Sequence, residues 1–452
     1  MEFTVAQVQE ATGARLSNEG RFGSAAMRVR GWSIDSRSLN EGDLFFAIQG
    51  EHFDGHNFLA AAFERGAVAA VVSGTVAVPS GPLLTVPNTL EALQRLARWA
   101  RQQWRHPLIA VTGSAGKTST KDIIAELLSV RLRVAKTIGN FNNHIGLPLS
   151  LLRIPADAEI GVLEMGMNHA GEIRDLTCIA CPQIGVVTNV GYAHVESFES
   201  IEGVAAAKRE LIEGLSPEGT AVLNADDPRV LRFRDAHRGR TVTYGMGPQA
   251  DVRAEDIHMD ANSTGFSVRG VRFETRLQGR HAVLNVLAGI AVAELFGIEL
   301  RELVPAVARL TPGKMRGERH EWRGAVVLND CYNSNPEAAR SMIDVLKAEP
   351  AARRIAVLGE MLELGHMTEP LHRELGRYAA AAGIDILIGV QGASRVMVEE
   401  AKTAGLDDAA LFFDDAESAG AFLREFVKTG DAILFKGSRG THVERALSTM
   451  EF

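Results

Sequence analysis

An apolar run, residues 108–112, leads into Gly113, Ser114, Ala115, Gly116, Lys117, Thr118 and Ser119. Glycines let backbone N–H groups close on phosphate oxygens, a helix N-terminus adds partial positive charge, a lysine is a mobile cation and a threonine hydroxyl can ligate Mg²⁺. This combination reads as an ATP site. The full eight-residue phosphate-loop pattern is not present, because its first glycine falls at Val111; what remains is Gly113-x-x-Gly116-Lys117-Thr118. An ordinary surface turn before a helix is the competing reading, and the flanking strand and helix (expected over 121–130) weigh against it.

Two further apolar runs end in groups with complementary chemistry. Residues 160–166 close in Glu164 and glycine, and residues 184–194 run through Asn189 to His194. In an open α/β sheet ligands gather at the carboxyl ends of parallel strands, so Lys117, Thr118, Glu164, Asn189 and His194 can converge on one site. Thr118 and Glu164 offer hard oxygen ligands for Mg²⁺, and a neutral His194 imidazole can serve a second ion. Lys208 sits in a helical stretch between Arg209, Glu210 and small residues; its chemistry alone reads as a solvated lysine.

Elsewhere local chemistry leaves two readings open. Asn140, Asn142 and Asn143 precede Gly146 and Pro148, and their amides suit sugar hydroxyls, peptide groups or phosphates as well as a turn held by its own side chains. Asp35-Ser36-Arg37 suits a phosphate, a base or a solvated turn. Asn285, early in a glycine-led helix, suits adenine or a helix cap. Polar residues again follow apolar runs at Asp330, Tyr332, Asn333 and Asn335, and at Lys436, Ser438 and Arg439.

The elements that must position these groups follow from composition and periodicity. At 452 residues the chain exceeds one hydrophobic core, and ~150 residues per domain suggests about three. An apolar fraction of 46%, with 23% charged residues, is that of an ordinary soluble globular protein. A net charge of −8 argues against a general nucleic-acid or anionic-membrane binder. Neither a leader-like N-terminus nor a long uncharged span is read, so a cytoplasmic protein is expected. Cys178, Cys181 and Cys331 are too few for a disulfide framework, and the Cys178/Cys181 spacing, lacking a second pair, reads as two packed cysteines near a helix end. The first region reads as a small α/β unit with strands at 44–48 and 67–72, a polar loop over 49–56, a helix from an Asn57 cap to Arg65, and an Asn88-capped helix toward His106. The third reads as strands at 325–328, 355–358, 384–389 and 432–435 alternating with helices, a doubly wound pattern without Gly-x-Gly-x-x-Gly. The expected fold is α/β in three domains, over 1–105, 106–312 and 313–452.

Together these motifs resemble the Mur ligase family, cytoplasmic ATP-dependent amide-forming enzymes of bacterial peptidoglycan precursor synthesis. The resemblance spans all three regions. It implies a central P-loop ATPase-like parallel sheet, a C-terminal Rossmann-like domain and a small N-terminal domain holding a uridine diphosphate at Asp35-Ser36-Arg37. It also implies that residues 113–119 bind ATP, Asn142 and Asn143 face substrate, and Glu164 and His194 hold Mg²⁺. Lys208 matches the lysine that is carbamylated in this family and helps hold a second Mg²⁺; Asn285 matches an adenine contact, with Ala282 where the family often has asparagine. Arg316 and Asp330 match ATP contacts from the third domain, and Lys436 and Ser438 its substrate motif. Residues 330–336 and 358–365 are similar to signatures of the dipeptide-adding member, which joins D-alanyl-D-alanine to UDP-N-acetylmuramoyl-tripeptide through an acyl phosphate. The reading expects a monomer without nucleic-acid partner or membrane insertion. Its rivals are the family member adding the third peptide residue, folylpolyglutamate synthase, and a P-loop switch or kinase; Asp-Asn-Pro-Arg and Asn-Lys-x-Asp, expected of the first and of a GTP switch, do not occur.

Overall fold

A computed structural model describes residues 1–17, 26–50, 53–76, 81–260 and 262–452. Its centre is a seven-stranded, wholly parallel sheet in the spatial order Val252–Arg253, Arg240–Gly245, Thr220–Asn224, Ile184–Val187, Leu108–Thr112, Ile160–Glu164, Val134–Lys136. The three inner strands are buried at every position. Helices cover both faces of such a sheet, so its strands are continuously apolar rather than alternating, which is why they stand out in the sequence. The chain reverses its direction across the sheet beside Leu108–Thr112, and the carboxyl ends of Leu108–Thr112, Ile160–Glu164 and Ile184–Val187 are therefore neighbours at the switch point.

Helix Lys117–Leu128 packs along helix Arg280–Leu295, with Ile123, Ile124, Leu127, Val286, Leu287 and Ile290 in one apolar cluster. The first of these helices begins four residues before the expected start, because Gly116 adopts φ +78 and turns the chain directly from loop to helix. A three-stranded antiparallel sheet, Glu255–Met259, Thr264–Val268 and Val271–Thr275, adds to this domain and was not read in the sequence.

The first region carries a five-stranded sheet, parallel except for Arg15–Ser17. Its strands Asp43–Phe46 and Ala69–Ser73 overlap the expected ones. Asn57 is not the cap: Asp54 accepts from the His56 N–H at 2.9 Å and starts a short 3₁₀ turn that leads into Leu59–Glu64. Glu51 and His52 of the polar loop lie outside the described residues. Helix Thr89–Gln103 is capped by Asn88, and its Arg101 donates to Ala180 O and Gln183 Oε1, tying it to the central sheet. The helix Glu172–Ala180 ends beside Cys181, but both Cys178 and Cys181 are exposed rather than packed.

The third region is a six-stranded sheet in the order Glu318–Trp322, Ala325–Asp330, Asp431–Lys436, Arg353–Gly359, Ile386–Val390, Ala410–Phe413. Only Glu318–Trp322 is antiparallel to its neighbour. It and Ala410–Phe413 are the two edges, less buried and less legible than the four inner strands. Among the described residues no helix is long and apolar enough to cross a membrane.

Candidate active site

The loop 113–116 is knitted to the next strand end. Ser114 Oγ donates to Gly191 O at 3.0 Å and accepts from Gly191 N at 2.8 Å; Ala115 N donates to Asn189 Oδ1 at 2.8 Å, and Thr188 Oγ1 donates to Ala115 O at 2.7 Å. A Cβ at Gly113 would collide with the Thr188 hydroxyl, so this close approach requires glycine. The half-buried Lys117 folds back, its Nζ donating to Gly113 O at 2.8 Å. Burial holds its pKa below the usual lysine value, with the Glu164 carboxylate opposing that effect and the Arg316 charge adding to it.

Glu164, at the end of its strand and 2% exposed, is the hub. Its Oε2 accepts from Thr118 Oγ1 at 2.7 Å and its Oε1 from Asn142 Nδ2 at 2.7 Å. Arg316 reaches in from the third domain, donating through Nη2 to Thr118 Oγ1 at 3.1 Å while its guanidinium lies 3.8 Å from the centre of the Tyr332 ring. Among the described residues no three His, Cys, Asp or Glu side chains stand close enough to hold a metal ion alone. The adjacent Thr118 hydroxyl and Glu164 carboxylate nonetheless fit Mg²⁺, a hard ion that typically takes one or two protein oxygens and completes its shell with water and phosphate.

His194 sits at φ +63, and its Nδ1 is 2.5 Å from Glu363 Oε2 of the third domain. Lys208, on helix Ile201–Glu213, is 1% exposed, not solvated, and has no hydrogen-bond or ion-pair partner among the described residues. Burial first, and the neighbouring Lys117 charge second, push its pKa well below the ordinary lysine value.

From the third domain, Asp330 and Lys436 face each other across adjacent parallel strands; Lys436 Nζ donates to Asp330 Oδ2 at 2.5 Å and to Asn333 O at 2.9 Å. Asn335 caps helix Pro336–Ala348 by accepting from Ala338 N, and Asn143 similarly accepts from Gly146 N before helix Gly146–Leu152. Asn285 is in the second turn of its helix and is no cap: its Oδ1 accepts from Thr120 Oγ1 at 3.0 Å.

One cavity of about 420 Å³ gathers Ser114 to Ser119, Asn142, Asn143, Glu164, His194, Asn285, Arg316, Asp330, Tyr332, Asn333, Asn335 and Lys436. Gly113 and Lys208 are not among its lining residues. Ser438, whose Oγ accepts from Leu362 N, and Arg439, paired with Glu444, also stand outside it. Ser36 and Arg37 are apart from it in the first domain, where Arg37 forms a two-pronged pair with Asp35.

Three residues of this region escape sequence reasoning. Glu337, on the first turn of its helix, crosses to the Tyr192 N–H at 3.3 Å, and its pKa is raised by burial. His281 lines the cavity with a buried Nδ1 that lacks a partner, and burial lowers its pKa. Glu363 meets His194. The acid after an Asn-Pro helix start looks like an ordinary cap residue, and Glu363, although inside the 358–365 signature, like an ordinary turn residue, so only tertiary placement shows what they touch.

The family model described as the Mur ligase middle domain matches residues 111–293, the Mur ligase glutamate ligase domain 315–439, and the Mur ligase family catalytic domain 28–101. The chain is 36% identical over 428 residues to the UDP-N-acetylmuramoyl-tripeptide--D-alanyl-D-alanine ligase of Bacillus subtilis, covering 93% of each chain. It is 33% identical to the Escherichia coli protein of the same name, covering 96% of each. Among solved structures, MurF from Acinetobacter baumannii superposes with TM-score 0.92 at 29% identity, over 100% of this chain and 99% of that one. MurF ligase from Thermotoga maritima in complex with ADP gives TM-score 0.84 at 30% identity, over 94% and 97%. With three matching domain models and end-to-end relatives above 30% identity, the chain belongs to the Mur ligase family.

Proposed function

We propose that this chain is an ATP-dependent amide ligase that joins D-alanyl-D-alanine to UDP-N-acetylmuramoyl-tripeptide, releasing ADP and phosphate. The observation that carries the reading is the single cavity in which Lys117, Thr118 and Glu164 of the central domain meet Arg316, Asp330 and Lys436 of the third. The names of the full-length relatives supply the substrates. In this reading residues 1–105, with Ser36 and Arg37, take the uridine diphosphate, 106–312 take ATP and 313–452 take the dipeptide.

A substrate carboxylate and the γ-phosphate are both anions, so the reaction needs cationic groups at the transferring phosphoryl. Lys117 exchanges its own loop carbonyls for phosphate oxygens, Arg316 approaches from the docked third domain, and Asn285 reads adenine. Thr118 and Glu164 would hold one Mg²⁺, and His194 with a carbamylated Lys208 a second; bound there, the ions neutralise phosphate charge and orient the nucleotide. Asn142 keeps Glu164 aimed. Lys208 suits carbamylation because only a neutral amine adds CO₂, losing one proton, and burial beside Lys117 favours the neutral form. The carboxylate then becomes an acyl phosphate, and the dipeptide amine displaces phosphate to leave the amide.

Asp330 already neutralises Lys436, and Glu444 pairs with Arg439 outside the cavity, which leaves Tyr332 and Asn333 of the cavity wall to meet the dipeptide. Phosphate release from ATP should require UDP-N-acetylmuramoyl-tripeptide and D-alanyl-D-alanine together. Faster release with a single amino acid and the UDP-muramoyl dipeptide would instead make this the preceding ligase.

A further inference from the structure

The contact between His194 and Glu363 joins two domains through two residues that both hold left-handed backbone, φ +63 and φ +64. Such conformations cost free energy for non-glycine residues and persist where the surroundings over-determine them. Here they do. The third-domain segment that carries Glu363 is braced at each preceding residue: Glu360 Oε1 accepts from Ala393 N at 3.1 Å, Met361 N donates to His372 Nε2 at 2.9 Å, and Leu362 N donates to Ser438 Oγ at 2.9 Å. His372 is itself fixed by Nδ1 on Thr368 O at 2.7 Å. From the other side Glu196 N donates to Glu363 O at 3.2 Å, and Gly365 packs on Glu196 so closely that a Cβ there would lie 3.1 Å from its Cα.

We infer that Glu363 is a positioning residue for His194: docking of the third domain places its carboxylate on the Nδ1–H, which fixes the imidazole tautomer and leaves Nε2 as a lone-pair donor at the cavity. A carboxylate on the far nitrogen of a ligating histidine orients the ring and raises its basicity. Nε2 has no protein partner among the described residues, and His194 lines the cavity. The pair does little for stability, because Glu363 is 57% exposed and exposed ion pairs contribute little. Its consequence is that the histidine is set for a metal only when the third domain is in place. This rests on the proposed reading of His194 as a ligand.

The test uses Mn²⁺ as probe, titrated by electron paramagnetic resonance into the full-length protein saturated with a non-hydrolysable ATP analogue, with ¹⁵N-imidazole NMR of His194 alongside. E363A should weaken the lower-affinity Mn²⁺ site by roughly 10–100-fold and convert His194 from a single Nδ1–H tautomer to a mixture. E363Q, whose carbonyl still accepts from Nδ1–H, should recover most of that loss and keep the tautomer. H194A should weaken the site at least as far as E363A. A role confined to holding the domains together would raise the KM for ATP in E363A while Mn²⁺ affinity in the nucleotide-saturated protein and the tautomer stayed as in the wild type, which overturns the inference. If H194A weakens Mn²⁺ binding and E363A does not, the inference fails and the ligand reading survives. If neither does, both fail.

Discussion

Arg316 offers a quantitative handle on domain docking. It belongs to the third region, yet its Nη2 is 3.1 Å from the Thr118 hydroxyl and its guanidinium stacks 3.8 Å from the Tyr332 ring centre. Hydrogen bonds from charged donors contribute about 1.5–3 kcal/mol, and a partly desolvated cation–π contact about 0.5–2 kcal/mol. Some overlap between the two leaves a total of about 2–4 kcal/mol for R316A, which at about 1.4 kcal/mol per decade lowers kcat/KM for ATP by about 30- to 700-fold. The assay is steady-state phosphate release with both acceptor and dipeptide saturating. R316K keeps the charge but loses the planar fork and the ring stacking, so it should regain only part of the loss. A reduction below about fivefold in R316A would show that the contact across the domains contributes nothing to the reactive state, because the weaker end of the charged hydrogen bond alone, about 1.5 kcal/mol, is worth about tenfold.

Lys208→Ala should be nearly inactive in the same assay and partly restored by short added carboxylates, which return the oxygen donors a carbamate would bring; full activity would exclude the modification. Asp330→Ala leaves the 2%-exposed Lys436 ammonium with only a carbonyl partner, a loss of about 3–5 kcal/mol, and amide exchange in strand Asp431–Lys436 should accelerate accordingly. The double variant D330A/K436M should recover most of that protection, since an apolar side chain removes the uncompensated charge. His372 is fully buried and its pKa is lowered by burial, so the folded state binds its proton less readily than the unfolded state does. Its stabilising contribution is present above the unfolded value of about 6.5 and is lost as pH falls; exchange protection over residues 359–365, corrected for the intrinsic rate at each pH, should decline as pH drops below about 6.5 in the wild type and much less in H372Q.

What the sequence discloses follows burial symmetry. The inner strands Leu108–Thr112, Ile160–Glu164 and Ile184–Val187 are covered on both faces, so their apolar runs, and the polar residues that close them, could be read without a structure. The exposed hairpin strands Glu255–Met259 and Val271–Thr275 are mostly polar outward and carry no such run. Lys208 shows the limit for single residues. Its neighbours Arg209 and Glu210 suggest a wet face, but Glu210 is itself buried, accepting from Gly171 N and Arg174 N, and the lysine points inward beside Lys117. Helix periodicity cannot tell which face a second layer covers. The Asn57 cap failed for a local reason: Asp54, three residues earlier, binds the His56 N–H and starts the turn first.

Three side-chain contacts from the third domain cluster on the central sheet. Arg316 reaches Thr118 after the strand Leu108–Thr112, while Glu337 at Tyr192 and Glu363 at His194 both reach the segment after Ile184–Val187. All three therefore land on adjacent strand ends at the switch point of the central sheet, where the loop 113–116 is also laced to Asn189 and Gly191. An acyl phosphate is lost to water if the site stays open, and a third domain that merely delivered the dipeptide would have no reason to touch the phosphate loop's own supports. In the proposed reading, contacts placed there make docking and assembly of the phosphate-handling groups one event, so that the intermediate forms only where the domain proposed to bring the dipeptide already excludes solvent.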